Sequence, residues 1–304
     1  MSDPVTLCEC FARDGLQHEP ASLPTADKIA AIDAFTAAGF RRIEATSYAH
    51  PAHVPGFADA SAVLAGIRRG AGVGYKATCP NLHAVDRALA DLDAGYGATE
   101  LSLLVSATEA HTARNLRTTR AAQWDAVAAM VAQAAGRFRL VGVISMALGC
   151  PFEGRVDPDV VIADAARFGA LGTALVTIGD TTGTGTPGAV RALFRRLLAE
   201  GPTPVAHFHD TRGTGIANCL AALEVGVRNF DSAMGGVGGH PTQIQYGTGM
   251  TGNVATEDLA AVLAAEGVDT GLDPVRLRHA SRLCERLLGR PLYSRVARIE
   301  HADA

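Results

Sequence analysis

Lysine is scarce in this chain of 304 residues, which contains Lys28 and Lys76 against 25 arginines. Schiff-base chemistry needs a lysine amine, so these two positions limit it. Tryptophan occurs once, and no apolar run approaches the roughly 20 residues that a membrane-spanning helix requires. We therefore expect no membrane partner.

A strong excess of one charge is also missing, since the formal net charge is −4. This argues against a nucleic-acid partner or a polybasic membrane contact. The six cysteines form no C-x-x-C pair, and a chain of this size does not need disulfides, so we expect reduced, packed thiols. The first residues lack the basic flank and apolar core of a signal peptide. These features favour an enzyme of the cytoplasm.

Apolar strand-like runs alternate with amphipathic helical patterns along the chain, and the hydrophobic fraction of 48% suffices for one large core. Repeated βα units imply parallel strands with right-handed crossovers. Eight such units predict an α/β fold of the (β/α)₈ TIM-barrel type, with a doubly wound open sheet as the alternative. No G-x-G-x-x-G follows the first strand, which weakens a dinucleotide-binding function. The predicted strands are Val5–Cys10, Arg42–Ala45, Gly72–Ala77, Glu100–Val105, Leu140–Ser145, Ala174–Ile178, Val205–His207 and Asn229–Ser232.

Six stretches between these strands have the apolar spacing of a helix, and Thr25, Asn81, Asp157 and Thr186 are predicted N-caps. We expect one domain over residues 1–304, with the barrel in about 5–270 and a helical extension in about 274–304. That extension would cover the barrel or build a dimer contact. The barrel interior should be Val, Ile and Leu. The predicted helices are Ala26–Ala38, Ala84–Ala94, Thr119–Ala135, Pro158–Leu171, Pro187–Ala199 and Ile216–Val225.

The segment His207-Phe208-His209-Asp210 lies at the predicted end of the seventh strand. Alternate residues of a strand share a face, so His207 and His209 point the same way. Two imidazoles side by side at a βα junction suit a metal ion. The alternative is a pair of histidines that are simply hydrogen-bonded in a polar cleft.

Polar residues also follow other predicted strands. Arg13 and Gln17 come after the first, Glu44 ends the second, and Thr177 and Asp180 end the sixth. A glycine-rich segment from 235 to 241 and the pair at 252–253 follow the eighth. Because the carboxyl ends of barrel strands meet at one rim, these groups are expected to share one site.

Several motifs occur in an order that resembles a known family. They are Ala12-Arg13-Asp14-Gly15-Leu16-Gln17, Ala147–Gly154, the His207 segment, and Gly252–Asp258. Together they resemble the metal-dependent lyases related to 3-hydroxy-3-methylglutaryl-CoA lyase, within the group that includes isopropylmalate and homocitrate synthases. The resemblance covers nearly the whole chain. It implies a divalent-metal-dependent carbon–carbon lyase that cleaves a 3-hydroxyacyl-CoA by a retro-aldol or retro-Claisen reaction.

By this resemblance the metal ligands are Asp14, His207, His209 and Asn253. The residue types agree, since one carboxylate, two imidazoles and one amide oxygen form a mixed set that favours Mg²⁺ or Mn²⁺ and tolerates Zn²⁺ or Co²⁺. Taken singly, Asp14 suits an ordinary turn and Asn253 suits a helix cap.

The resemblance also suggests the groups that act on substrate. Arg13 would stabilise the enolate oxygen that develops as the bond breaks, or else form a salt bridge with Glu44 or Asp180. Glu44 would orient Arg13 or contact substrate, and Asp180 would transfer a proton or position a histidine. Gln17 and Thr177 are expected to contact substrate, with a plain surface role as the alternative for Gln17.

The chain departs from the family in the glycine-rich loop G-x-G-G-C-P, where Gly236-Val237-Gly238-Gly239-His240-Pro241 places a histidine at the cysteine position. His240 would replace that cysteine as the acid, or be a solvent-exposed loop residue in altered chemistry. Arg114 and Asn115 align with a family segment that touches the nucleotide of CoA. The substrate stays open between 3-hydroxy-3-methylglutaryl-CoA, another acyl-CoA and a free hydroxy acid.

Four alternatives remain at this point. Lys76 near the end of strand three could form the Schiff base of an aldolase, although a snorkelling lysine is the plainer interpretation. A condensing enzyme of the same superfamily, a metal hydrolase and a non-catalytic metabolite-binding barrel are the others. A homodimer is the default expectation for such a barrel.

Overall fold

The fold is a closed barrel of eight parallel strands. The computed structural model describes residues 4–19, 22–239 and 252–299. Each strand pairs with the next along the chain, and β8 pairs with β1. This confirms the predicted (β/α)₈ TIM barrel, and the open-sheet alternative is wrong. The strands are β1 (Thr6–Glu9), β2 (Arg42–Ser47), β3 (Gly74–Cys79), β4 (Glu100–Ser106), β5 (Arg139–Ser145), β6 (Leu175–Asp180), β7 (Pro204–Phe208) and β8 (Asn229–Ser232).

Most of the helices pack on the outer surface of the barrel strands, whereas those at Thr256–Ala265 and Pro274–Leu288 pack mainly against other helices and turns. The six predicted helices correspond to α1, α3, α5, α6, α7 and α8, whereas α2, α4 and α9 were not predicted from the sequence. The helices are α1 (Thr25–Ala38), α2 (Ala60–Gly66), α3 (Leu82–Asp93), α4 (Glu109–Leu116), α5 (Arg120–Ala134), α6 (Pro158–Ala170), α7 (Pro187–Glu200), α8 (Gly215–Glu224), α9 (Thr256–Ala265) and α10 (Pro274–Leu288). Within the described ranges, no helix is long and apolar enough to cross a membrane.

Three of the four predicted caps are present. The side chains of Asn81, Asp157 and Thr186 each accept a hydrogen bond from a backbone N–H in the first turn of a helix. The prediction for Thr25 is wrong, because it is the first residue of α1 and its hydroxyl donates to Asp59 (2.7 Å).

The barrel interior is only partly the apolar layer that we expected. Val141, Leu175 and Val205 form a separate buried cluster on the inward face of β5, β6 and β7. In another part of the interior, the Arg42 guanidinium donates to both carboxylate oxygens of Glu100, and both side chains are almost fully buried. Buried charges are tolerated when they are paired and hydrogen-bonded, which these are.

The extension after the barrel consists of α10 and a short 3₁₀ turn at Val296–Arg298. Helix α10 packs against α1 and buries Leu277, Ala280 and Cys284. It therefore covers the side of the barrel, which is one of the two placements that we expected. A role in a dimer contact stays a prediction.

Candidate active site and metal centre

A cavity of about 110 Å³ lies at the carboxyl-terminal end of the barrel. It brings together side chains from several strand ends, as the motif positions predicted. The predicted residues that line it are Arg13, Asp14, Gln17, Glu44, Asn115, Thr177, His207 and His209.

A turn of π-helix at Phe11–Gly15 directly follows β1 and carries two of these residues. Arg13 Nη1 donates to Asp14 Oδ1 (2.6 Å), and Arg13 Nε lies 3.4 Å from Glu44 Oε1. Burial alone would lower the pKa of Arg13, but the charges of Glu44 and Asp14 outweigh it and hold the pKa above its ordinary value. The site therefore contains a guanidinium that is fixed from two sides and permanently charged.

The two histidines face the carboxylate of Asp14 from β7 and the residue after it. His207 Nε2 lies 3.2 Å from His209 Nε2, and Asp14 Oδ2 lies 4.0 Å and 3.9 Å from these two atoms. His209 also forms a β-bridge with Asn253, which brings the fourth predicted ligand alongside. Asn253 Nδ2 donates to Asp14 Oδ2 (2.7 Å), and α9 begins after Ala255, so Asn253 is not its cap.

These four side chains fit a divalent cation. Two ligand atoms that bind one small cation at about 2.1 Å lie roughly 3–4 Å apart, which matches the spacings between the imidazole nitrogens and the carboxylate. Asn253 Oδ1 is buried and has no hydrogen-bond partner among the described residues. Leaving such an atom unpaired costs about 1–3 kcal/mol, so a ligand for it is expected. The donor set is a mixed set of nitrogen and oxygen atoms, which suits a divalent cation.

Asp231 on β8 is a functional residue that the sequence analysis missed. Its Oδ2 lies 3.4 Å from His207 Nδ1, so that nitrogen can donate to it and leave Nε2 free to bind the cation. Burial lowers the pKa of His207, but the hydrogen bond to Asp231 and the charge of Asp14 raise it by more, so the net shift of the pKa is upward. The sign of this role in the sequence was a carboxylate within a predicted barrel strand, where an apolar residue is expected.

Lys76 on β3 reaches the floor of the same cavity. Its Nζ lies 3.7 Å from Glu44 Oε1 and 3.6 Å from Asp231 Oδ2, and the residue is 2% exposed. The snorkelling interpretation is therefore wrong. Burial lowers its pKa, but Asp231 and the other negative groups hold the pKa well above its ordinary value. Lys76 is thus an ammonium ion and not the neutral amine that a Schiff base requires.

Within the described part of the chain, no hydrogen bond or ion pair joins Asp180 to His207 or Arg13. Gly179, its neighbour in β6, lines the cavity, so the Asp180 side chain leaves the strand on the opposite face. Its two oxygens accept hydrogen bonds from the backbone N–H groups of Thr184 (3.0 Å) and Gly185 (2.9 Å). It holds the turn before α7, and the carboxylate beside His207 Nδ1 is that of Asp231 and not that of Asp180.

A larger groove of about 1020 Å³ adjoins the cavity. Gln17 and Asn115 line both, and Arg114 lines the groove with its guanidinium 4.0 Å from the ring centroid of Phe152. His18, which the sequence analysis did not single out, also lines both. Gln17, Arg114 and Asn115 thus lie where the inner cavity opens into the groove, whereas Thr177 lies inside the cavity.

The part of the glycine-rich segment that the structure describes ends at Gly239, beside the site. His240 lies outside the described residues, but Gly239 lines the cavity. Gly238 has φ +116°, and a Cβ there would be 2.4 Å from Asn253 Nδ2. Only glycine allows the backbone to approach the metal centre this closely.

Comparisons with known proteins agree with this arrangement. A family sequence model described as HMGL-like matches residues 4–284. The hydroxymethylglutaryl-CoA lyase, mitochondrial, of Rattus norvegicus is 38% identical, over 96% of this chain and 88% of the relative. The 3-hydroxy-3-isohexenylglutaryl-CoA/hydroxy-methylglutaryl-CoA lyase of Pseudomonas aeruginosa is 38% identical, over 99% of this chain and 98% of the relative. A solved HMG-CoA lyase from Acenitobacter baumannii, in complex with coenzyme A and 3-methylmalate, superposes with a TM-score of 0.92 at 35% identity, covering 99% of this chain and 98% of that one.

Proposed function

Since this chain belongs to the HMGL-like family and is a carbon–carbon lyase, we propose that it cleaves 3-hydroxy-3-methylglutaryl-CoA or a closely related 3-hydroxyacyl-CoA. The observation that carries the proposal is the convergence of Asp14, His207, His209 and Asn253 beside the fixed guanidinium of Arg13. The names of the relatives support the substrate class.

The family is divalent-metal dependent, and we propose Mg²⁺ or Mn²⁺ held by Asp14, His207, His209 and Asn253. When bound, the cation supplies Lewis acidity toward the oxygen atoms of the substrate. The chain's own part is to orient the ligands: Asp231 holds His207 through Nδ1, and the Asn253 amide fixes Asp14.

In the proposed reaction, a base removes the proton of the substrate's 3-hydroxyl, which becomes a ketone as the carbon–carbon bond breaks. The electron pair of that bond passes to the leaving fragment as a thioester enolate. Arg13, held by Asp14 and Glu44, would stabilise the enolate oxygen without having to reorganise. An acid then protonates the enolate carbon, and we assign that role to His240 because it occupies the cysteine position of the family loop.

The groove beside the cavity is proposed to bind the CoA portion. The guanidinium of Arg114 is stacked on the ring of Phe152, which would hold its positive charge in place for a phosphate of CoA. Asn115 lines both the groove and the cavity. Gln17 and Thr177 are proposed to contact the acyl end, since both line the inner cavity. The complex of the Acenitobacter baumannii enzyme with coenzyme A supports an acyl-CoA substrate.

A cleavage assay tests the proposal. After EDTA treatment and addition of Mg²⁺ or Mn²⁺, we expect 3-hydroxyacyl-CoA thioesters to release a shorter acyl-CoA, and free hydroxy acids to react slowly. Arg13→Met should lower kcat about 10²–10³-fold with little change in KM, because its contact forms in the transition state. Arg68→Met is the matched control, since that side chain is 90% exposed. Absence of turnover with every thioester would overturn the proposal, and turnover of free hydroxy acids alone would favour the non-CoA alternative.

The acid is tested separately. His240→Ala should lower turnover about 10²–10⁴-fold, which is the usual contribution of a positioned acid. His240→Cys, which restores the family residue, should recover most of that loss. Near-wild-type turnover in His240→Ala would remove His240 from the mechanism.

We also propose that the protein forms a homodimer, is located in the cytoplasm and has no nucleic-acid partner. Closed symmetric assemblies are the common oligomers of such enzymes, and the solution mass tests this point. The relatives' names specify both mitochondria and cytoplasm, so fractionation of cells is the test of location.

A further inference from the structure

Lys76 lies between two buried carboxylates that come from the two strands flanking β1. Glu44 is on β2 and Asp231 is on β8, and the Lys76 ammonium on β3 lies 3.7 Å from one and 3.6 Å from the other. The three residues are 4% exposed or less. Two carboxylates in such a space would repel each other strongly without a shared cation.

The oxygens that face Lys76 are the same ones that hold the functional groups. Glu44 Oε1 is 3.4 Å from Arg13 Nε and also accepts the hydroxyl of Thr78 (2.9 Å). Asp231 Oδ2 is the atom 3.4 Å from His207 Nδ1. Lys76 therefore connects two pairs of side chains in the site. One pair is Glu44 with the Arg13 guanidinium, and the other is Asp231 with the imidazole of His207.

The pair of Asp231 and His207 depends on Lys76 more than the pair of Glu44 and Arg13 does. Asp231 Oδ1 is buried and has no hydrogen-bond partner among the described residues, so the carboxylate is fixed only through Oδ2. Glu44 has a further anchor in Thr78. Loss of the ammonium should thus displace Asp231 and, through it, the ring of His207.

We propose that Lys76 is a positioning residue of the metal centre: its ammonium group, held between Glu44 and Asp231, fixes the orientation of His207 for the cation. This inference rests on the proposed function, since it concerns the same site. It goes beyond the proposed function by assigning a role to a residue outside the proposed metal ligands and substrate contacts.

The test measures binding of Mn²⁺ alone, by electron paramagnetic resonance titration of the metal-free protein without substrate. Lys76→Met keeps the length of the side chain and removes its charge, and it should raise the Kd for Mn²⁺ about 10–100-fold. Lys76→Arg, which retains a cation, should recover most of the affinity. The matched control is Lys28→Met, because Lys28 is likewise buried (3% exposed) and pairs with Asp59 (2.7 Å) outside the barrel.

An unchanged Mn²⁺ affinity in folded Lys76→Met, or an equal loss in Lys28→Met, would overturn the inference. If Lys76→Met does not fold, the double variant Lys76→Met/Asp231→Asn removes both charges and should fold. It should bind Mn²⁺ as weakly as Asp231→Asn alone, and a clearly higher Kd in the double variant than in Asp231→Asn would contradict the coupling. A wild-type protein that neither binds Mn²⁺ nor cleaves a thioester would instead count against the proposed function.

Discussion

Glu9 shows how one buried side chain supports the mouth of the barrel. It is fully buried at the end of β1, and its Oε1 accepts the backbone N–H groups of Phe11 (2.9 Å) and Met234 (2.8 Å). Its Oε2 pairs with the hydroxyl of Thr256 (2.7 Å). Burial raises the pKa of Glu9 to about 8, because the hydrogen bonds only partly compensate for the loss of water.

This pKa predicts how stability depends on pH. The folded state keeps the proton up to about pH 8, whereas the ordinary value is 4.5, so the folded state binds more protons between these values. The free energy of unfolding should therefore fall as pH rises through this window, by at most about 1.4 kcal/mol per pH unit from this group. Glu9→Gln imitates the protonated form and should flatten that decline.

Urea unfolding at about pH 6 and about pH 9 measures the effect. The control is Glu200→Gln at the exposed end of α7, which should leave the pH dependence as it is in the wild type. Equal slopes for Glu9→Gln and the wild type would show that Glu9 is already ionised in the folded state at about pH 6.

At this scale, motifs predicted the residues that are proposed to bind or act, and Glu44 beside Arg13, but not the residues beside His207. Asp14 and the two histidines follow from sequence patterns, whereas Asp231 and Lys76 acquire their roles only from the strands opposite them. Which side of a strand faces the barrel axis depends on register across neighbouring strands, and one sequence segment does not contain that information.

At the scale of elements, the contact between β5 and α6 depends on the absence of a side chain. A Cβ at Gly142 would lie 2.4 Å from Cγ of Phe168, which is fully buried in α6. The Phe168 ring in turn packs against Trp124, with ring centroids 4.7 Å apart. Gly142 therefore sets how closely this helix approaches the sheet.

Gly142→Ala should destabilise the protein by about 1–3 kcal/mol, because the rigid ring must move within a packed layer. Gly188→Ala in α7 is the matched control, since nothing lies within 4 Å of a Cβ there, and it should be neutral or stabilise the protein by up to about 1 kcal/mol. Thermal and urea unfolding compare the two. A Gly142→Ala protein as stable as the wild type would mean that α6 shifts without cost.

The elements were predicted well where a periodic apolar pattern was long enough. All eight strands occur within about two residues of their predicted bounds, but α2 and α4 have seven and eight residues, too few to show the period of a helix. Helix α9 was missed because its buried face is partly charged. Glu257 there accepts the N–H of Gly235 (2.8 Å), and Asp258 accepts the hydroxyl of Ser294 (2.8 Å).

At the scale of the whole molecule, barrel closure is what assembles the site. Asp14 and Asn253 form a hydrogen bond across 239 positions of sequence. The eight-fold βα pattern predicted this closure, and with it that the strand ends would meet. The charged part of the interior could not be predicted in the same way, because it depends on ion pairs between strands: Glu100 pairs with both Arg42 and Arg139.

Because the proposed ligands come from the two ends of the barrel sequence, a cation should bind the closed barrel and not the unfolded chain. Binding to the folded state alone stabilises it by about 2.7 kcal/mol at a free concentration 100 times Kd. We therefore expect Mn²⁺ to raise Tm by several degrees and EDTA to reverse the rise.

Two histidine variants locate the effect. His209→Ala removes a proposed ligand and should abolish the rise in Tm, whereas His53→Ala, at an exposed position in the outer groove, should retain it. A rise that persists in His209→Ala would place the stabilising cation elsewhere on the molecule. No rise in the wild type would count against binding of the cation by the folded barrel, whose ends are already joined by the pairing of β1 with β8.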